Sequence, residues 1–194
     1  LTILHNEVFT MNAIDADSSI LVLVDYQSRL MPAMDKGAEA VANAALLGQA
    51  ARLLDVPVIG TEQNPDRLGR NADTLRQLCR HTLAKTHFNA CADGLVDALD
   101  AARPGFAQAI VAGCEAHVCL LQTALGLLDA GKQVFVVDNA CASRRPLDHA
   151  AAMRRLAQAG AILVSHEMVL FEWLHDCRHP HFRSVLGLVK SAPL

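Results

Sequence analysis

The stretch Gln108-Ala-Ile-Val-Ala-Gly-Cys-Glu-Ala-His-Val-Cys-Leu-Leu-Gln-Thr-Ala-Leu-Gly-Leu-Leu-Asp-Ala-Gly-Lys-Gln-Val-Phe-Val-Val137 decides the fold. It opens on a short apolar run, Gln108–Ala112, and closes on another, Gln133–Val137. Runs that are apolar at successive positions, not at alternate ones, fit strands buried on both faces of a parallel sheet. Between them Val118–Ala130 carries a helical pattern, and Gly131 stands where a helix C-terminal glycine belongs. Strand, helix and strand in this order form a right-handed crossover between parallel neighbours.

The same alternation extends in both directions. Further apolar runs occur at Ile20–Val24, Val56–Gly60 and Ala161–Val164, with a weaker one at His81–Ala84. Helical patterns occupy Gly37–Leu54, Asp73–Cys79, Gly94–Ala101, Asp148–Ala159, Met168–Leu174 and Phe182–Lys190. Gly160 is a second helix-ending glycine, and Pro57, Pro104 and Pro146 mark boundaries. The expectation is an α/β fold: a three-layer, open, mostly parallel six-stranded sheet with helices on both faces. No fixed-period repeat, low-complexity tract or linker interrupts it. Residues 19–194 read as a single domain behind an N-terminal extension, residues 1–18. Met11 reads as a natural start, with Leu1–Thr10 upstream of it.

The chain has 194 residues, 52% hydrophobic, 19% charged and 4% aromatic. That length suits one domain and buries roughly 70% of the surface an unfolded chain exposes. The composition excludes a disordered chain and argues against a single-stranded nucleic-acid platform, which needs stacking aromatics. A net charge of −3 supplies no basic field for DNA or an acidic membrane. No run is long and apolar enough for a membrane helix; Glu115 and His117 interrupt the longest candidate, Ala107–Leu128. His5, Asn6 and Glu7 break any secretory apolar segment. The six cysteines, Cys79, Cys91, Cys114, Cys119, Cys141 and Cys177, form no C-x-x-C pair, so free thiols in a reducing cytoplasm are expected.

In open α/β sheets ligands bind beyond the carboxyl ends of the strands, where strand order reverses. Neither Gly-x-Gly-x-x-Gly nor a phosphate loop follows any strand, so no dinucleotide or nucleoside triphosphate cofactor is expected. Three residues at strand ends can carry chemistry. Cys119 lies near a helix N-terminus, whose partial positive charge and free N–H groups stabilise a thiolate and an oxyanion. Between Val118 and Leu120 it also reads as a buried small hydrophobe. Asp25 follows an apolar strand and can be a general base with a raised pKa, or a loop aspartate. Lys85 can hold a thiolate or oxyanion, or be a solvated surface lysine.

Taken together, Asp25 in Leu-Val-Asp-Tyr-Gln, Lys85 in Lys-Thr-His-Phe-Asn-Ala and Cys119 in Gly-Cys-Glu-Ala-His-Val-Cys-Leu-Leu-Gln-Thr-Ala resemble the isochorismatase-like cysteine hydrolase superfamily. The resemblance runs from Ser19 to Lys190 and includes Phe171-Glu-Trp-Leu and His179-Pro-His-Phe. It implies an Asp25–Lys85–Cys119 triad and a covalent thioester on Cys119. It further implies a cis peptide between Cys114 and Glu115, and an oxyanion hole from the backbone N–H groups of Glu115 and Cys119. Nicotinamidases of the superfamily carry Asp-x-His after the second strand, where this chain has Thr61-Glu62-Gln63-Asn64-Pro65. Isochorismatases commonly lack the cysteine. The resemblance thus implies a metal-independent hydrolase of a small amide-like, C–N bonded substrate. It also implies a homo-oligomer, with no nucleic-acid or membrane partner. Tyr26, Gln63, Phe88, Asn89 and His117 are expected near the substrate, Tyr26 and Phe88 as walls and Gln63 and Asn89 as hydrogen-bonding groups.

Two alternatives stay open: a non-catalytic small-molecule-binding module, and a thiol redox protein with Cys114 as resolving thiol. The cluster His175, Cys177, His179 and His181 fits no standard zinc spacing. Arg144 and Arg145 read either as an anion site or as a solvated helix entry. Phe171, Trp173, Leu174, Phe182, Val185, Leu186 and Val189 pack either on the domain or on a neighbour.

Overall fold

The computed structural model describes residues 13–191; Leu1–Thr10 and Met11 lie outside them. Six strands are present: β1 (Ser19–Val24), β2 (Val58–Gln63), β3 (His81–Lys85), β4 (Gln108–Gly113), β5 (Gln133–Val137) and β6 (Ile162–Val164). The helices are α1 (Gly37–Leu53), α2 (Pro65–Leu68), α3 (Asp73–Arg76), α4 (Leu95–Ala102), α5 (Leu121–Asp129), α6 (Pro146–Gln158), α7 (His166–Leu174) and α8 (Phe182–Ser191). A wide π-type turn, Ala116–Leu120, leads into α5. Among the described residues no helix is long and apolar enough to cross a membrane.

All strand pairs are parallel, in the order β3-β2-β1-β4-β5-β6. The order reverses between β1 and β4, which is where an open α/β sheet opens its crevice. Successive side chains alternate faces. Leu21 and Leu23 join α1, α7 and α8 on one face, through Ala44, Leu47, Trp173 and Val185. Ile20, Val22 and Val24 join α4, α5 and α6 on the other, through Leu99, Leu127 and Leu156. Aliphatic strands between Ala- and Leu-rich helices account for the scarcity of rings.

Several boundaries differ from expectation; α5, α6 and α7 begin at Leu121, Pro146 and His166 and not at Val118, Asp148 and Met168. β2 starts two residues late and continues through Thr61, Glu62 and Gln63, because these polar residues are buried and each finds a partner. The helix expected over Asp73–Cys79 is a single turn, since Arg80 N–H already donates to Val58 O and starts β3. α2 went unread, although Pro65 at its first position and Gly69 at its end are its signals. Residues 13–18, expected in an extension, are packed: Ile14 is fully buried and its N–H donates to Glu172 Oε2 at 2.7 Å. Of the C-terminal apolar residues, Trp173, Leu174 and Val185 are buried in their own domain and Phe182 and Val189 pack partly against it, whereas Phe171 is exposed.

Candidate active site

β1 and β4 end side by side, with Val24 opposite Gly113, so Asp25 and the turn that presents Cys119 emerge together. Gly113 permits this closeness: a Cβ there would lie 2.3 Å from Val24 O. Beyond Gly113 the Cys114–Glu115 peptide is cis. The turn is pinned to the chain after β5 by Ala116 N–H, which donates to Ala142 O at 2.8 Å. On the other side β3 pairs with β2, with Lys85 opposite Gln63. Three separate crossovers thus deliver Asp25, Lys85 and Cys119 to one place.

Asp25 and Lys85 are fully buried, and Lys85 Nζ lies 2.8 Å from Asp25 Oδ2. Thr61 Oγ1 donates to the other carboxylate oxygen at 2.7 Å. Lys85 Nζ also donates to Gln63 Oε1 at 2.6 Å, and less closely to His87 O at 3.3 Å and Phe88 O at 3.5 Å. Removing one member of such a pair strands a charge in the interior, whereas well-satisfied pairs persist. Asp25 itself adopts a left-handed backbone, φ 53°, which turns the chain out of the strand.

Cys119 is 6% exposed. Burial foremost, and then the Asp25 carboxylate, push its thiol up to about 12, although the Lys85 ammonium pulls it down by charge and by hydrogen bond. Desolvation and the neighbouring carboxylate outweigh the helix, so the resting sulfur keeps its proton beside a base.

The other expected residues divide. His117 stands in the turn, its Nδ1 2.9 Å from Ser143 Oγ. The Phe88 ring is half exposed, while its carbonyl meets Lys85 and Thr123. The Glu115 carboxylate holds Arg144 at 2.6 Å. Three placements depart from expectation. Tyr26 is fully buried on the α1–α7 face, its hydroxyl donating to Ala140 O, so it is core and not a wall. Asn89 caps the short turn Ala90–Asp93 by accepting from Cys91 N–H at 2.9 Å. Its amide also lies against Gly126, where a Cβ would come within 2.6 Å. Gln63 is engaged by Lys85 and Thr86 and not free for substrate. Sequence reasoning missed Thr61, which touches Asp25, and Gln27, whose side chain bonds the Gln63 backbone. Only their places beside strand ends could have signalled them. Among the described residues no three His, Cys, Asp or Glu side chains converge to hold a metal ion.

Residues 19–168 match the model of the Isochorismatase domain family. Mouse isochorismatase domain-containing protein 2A is 36% identical over 178 residues, covering 90% of this chain and 84% of its own length. Among solved structures, the MAR1 ribonuclease from Caenorhabditis elegans superposes with a TM-score of 0.87 at 34% identity, covering 94% of this chain and 95% of its own. YcaC from Pseudomonas aeruginosa, solved with hexane-2,5-diol and covalent acrylamide, gives 0.86 at 28% identity over 93% of both chains. YcaC from Escherichia coli, an octameric hydrolase of unknown specificity, gives 0.81 at 25% identity, covering 92% of this chain and 97% of its own.

Proposed function

Since the chain belongs to the isochorismatase domain family, we propose that it is a cysteine hydrolase that cleaves the C–N bond of a small amide-like molecule through a thioester on Cys119. The observation that carries this reading is the buried Asp25–Lys85 pair, in contact at 2.8 Å and acting jointly on the Cys119 thiol. Asp25 accepts the thiol proton as the sulfur attacks the carbonyl carbon, so the C–S bond forms while the carbonyl electrons move to oxygen. The Glu115 and Cys119 N–H groups face that oxyanion. When the tetrahedral intermediate collapses, the C–N bond breaks and the amine leaves with the proton from Asp25. A water then attacks the thioester, giving its proton to Asp25. The C–S bond breaks, and the sulfur regains its proton from Asp25. Lys85 stays charged throughout and balances whichever partner, carboxylate or sulfur, is negative.

The side chains at the end of β2 are engaged elsewhere: Thr61 serves Asp25, Glu62 Oε1 accepts Asn71 N–H, and Gln63 is held at both ends of its amide. This supports a metal-independent reaction. The high thiol pKa disfavours a redox sensor, which needs a resting thiolate. A net charge of −3 and a nucleophile only 6% exposed favour a small molecule over a nucleic acid. We further infer a homo-oligomer, as in the octameric Escherichia coli relative, with Leu147 at 82% and Met168 at 54% exposure as apolar surface for contact; light scattering reads the mass.

The test is to trap the acyl-enzyme. Incubation with a pool of small amides, followed by intact-mass and peptide mapping, is expected to show an acyl adduct on Cys119, and its mass names the acyl half of the substrate. An adduct on another cysteine overturns the reading. So does RNA cleavage that disappears in Cys119→Ala, which would place the chain with the ribonuclease relative.

A further inference from the structure

Gln63 is not used by the reaction above, yet its buried side-chain amide is held at both ends. Its Nε2 donates to Thr86 O at 2.7 Å and its Oε1 accepts from Lys85 Nζ at 2.6 Å. Only one orientation of the amide satisfies both, because Lys85 offers no acceptor and Thr86 O no donor. Oε1 therefore faces the site, 4.0 Å from Cys119 Sγ.

The Gln63 main chain is held as firmly. Gln63 N–H donates to Gln27 Oε1 at 2.9 Å, and Gln27 Nε2 donates to Gln63 O at 2.9 Å. A neighbouring strand would supply this same pair of bonds. β1 pairs with β2 only as far as Val24 and Thr61, after which the left-handed Asp25 carries the chain away. The Gln27 side chain continues the ladder where the backbone has left it. Its second bond, from Nε2 to Gly69 O at 2.6 Å, ties it to the chain after α2.

An ammonium has three N–H donors. Those of Lys85 go to Gln63 Oε1 at 2.6 Å and, at greater length, to the carbonyls of His87 and Phe88, while Asp25 Oδ2 lies 2.8 Å away as its counter-charge; Gln63 makes the shortest of these contacts. We propose that Gln63 is the positioning residue of Lys85, that Gln27 positions Gln63, and that this two-glutamine relay holds the ammonium between Asp25 and the Cys119 side of the site, where Gln63 Oε1 lies 4.0 Å from the sulfur. The proposal rests on Cys119 as the nucleophile. It explains an amide in place of a carboxylate at Gln63: Glu could still accept from Lys85, but it has no donor for Thr86 O and would set a second negative charge about 4 Å from a sulfur that must become negative.

The full chain carrying Gln63→Met, Gln63→Glu or Gln27→Met tests this with two readouts besides thermal melting. The first is the Lys85 ammonium signal in 15N-lysine NMR, assigned by its loss in Lys85→Met. The second is the rate of acrylamide addition to Cys119 by intact mass. Gln63→Met is expected to lose the exchange-protected ammonium signal and to slow addition about tenfold, as misplaced catalytic groups do. Gln63→Glu is expected to keep the signal but slow addition, which separates placement from charge. Gln27→Met should fall between native and Gln63→Met in both readouts, and it carries the test if Gln63→Met fails to fold. Native signal and native rate in a folded Gln63→Met, or in Gln27→Met if it stands in, overturn the proposal. If Cys119→Ala takes up acrylamide as fast as the native protein, the nucleophile reading fails instead, while the ammonium signal still reports on the relay.

Discussion

Cys119 and Cys141 follow the ends of adjacent strands, β4 and β5, and are 6% and 7% exposed. Burial pushes both thiols up to about 12. Their surroundings differ. Cys141 Sγ meets Val137 O at 3.1 Å, and the Asp138 carboxylate is a lesser part of what raises its thiol. It lines a cavity of about 370 Å³ with Asp35, Glu39 and Asp138. Cys119 faces a carboxylate that can take its proton and an ammonium that can hold the charge left behind. Burial by itself makes a quiet thiol. A buried base paired with a buried cation is what sets one cysteine apart from its neighbour.

The largest effect expected from this difference is in reactivity. Cys119→Ala should abolish both acyl-enzyme formation and acrylamide addition, and Asp25→Asn should slow them by about 10²–10⁴-fold, the usual range for a lost general base. Cys141→Ala should stay near the native rate. Rate measurements on the three variants break the comparison if Cys141→Ala is the inactive one.

A second effect concerns folding. Asp25→Asn leaves the Lys85 ammonium buried without its counter-charge, and should lower stability by about 3–5 kcal/mol. The left-handed backbone is not the reason, since Asn tolerates it. Adding Lys85→Met should recover most of the loss, because an apolar side chain then replaces the stranded charge. Urea unfolding reads both variants. An Asp25→Asn protein as stable as native would mean that the pair is less buried and less coupled than the 2.8 Å contact implies.

The central strands β2, β1, β4 and β5 were legible because both faces of the sheet are covered there, so apolar runs persist across alternating side chains, whereas the partly exposed edge strand β3 shows only a weaker run. Asp25 and Lys85 were legible because each ends such a run. Tyr26 was misread because the turn at Asp25 sends the next side chain to the opposite face, onto Ala140. Gln63 and Asn89 were misread for another reason. A polar residue after a strand has no visible partner in sequence, and here the partners, Lys85 and Cys91, come from a different strand and from a cap. Thr61 and Gln27 left no signal because their role is to bond other side chains and backbone, which residue type alone does not announce. The charge-bearing members of the site could be read, but not the amides and hydroxyl that aim them.

The smallest effect is in the alkaline limb of stability, and it is the one that treats the two cysteines alike. An unfolded thiol titrates near about 8.5. Both thiols are raised in the folded protein, so the unfolded chain releases its protons first. The stability carried by each neutral thiol is whole below about pH 8.5 and is lost as pH rises toward about 12. Cys79 and Cys91, raised to about 11 by burial, add to the same decline. Cys141→Ala and Cys119→Ala should each flatten the decline by about 1.4 kcal/mol per pH unit within that window, read from urea midpoints at successive pH values. Equal flattening, beside unequal reactivity, would mean that Cys119 is a neutral thiol made nucleophilic only when Asp25 takes its proton. If Cys119→Ala leaves the slope untouched while Cys141→Ala flattens it, Cys119 is already ionised at neutral pH. Lys85 would then be its counter-ion at rest, and Asp25 would lose its place as the base that begins the reaction.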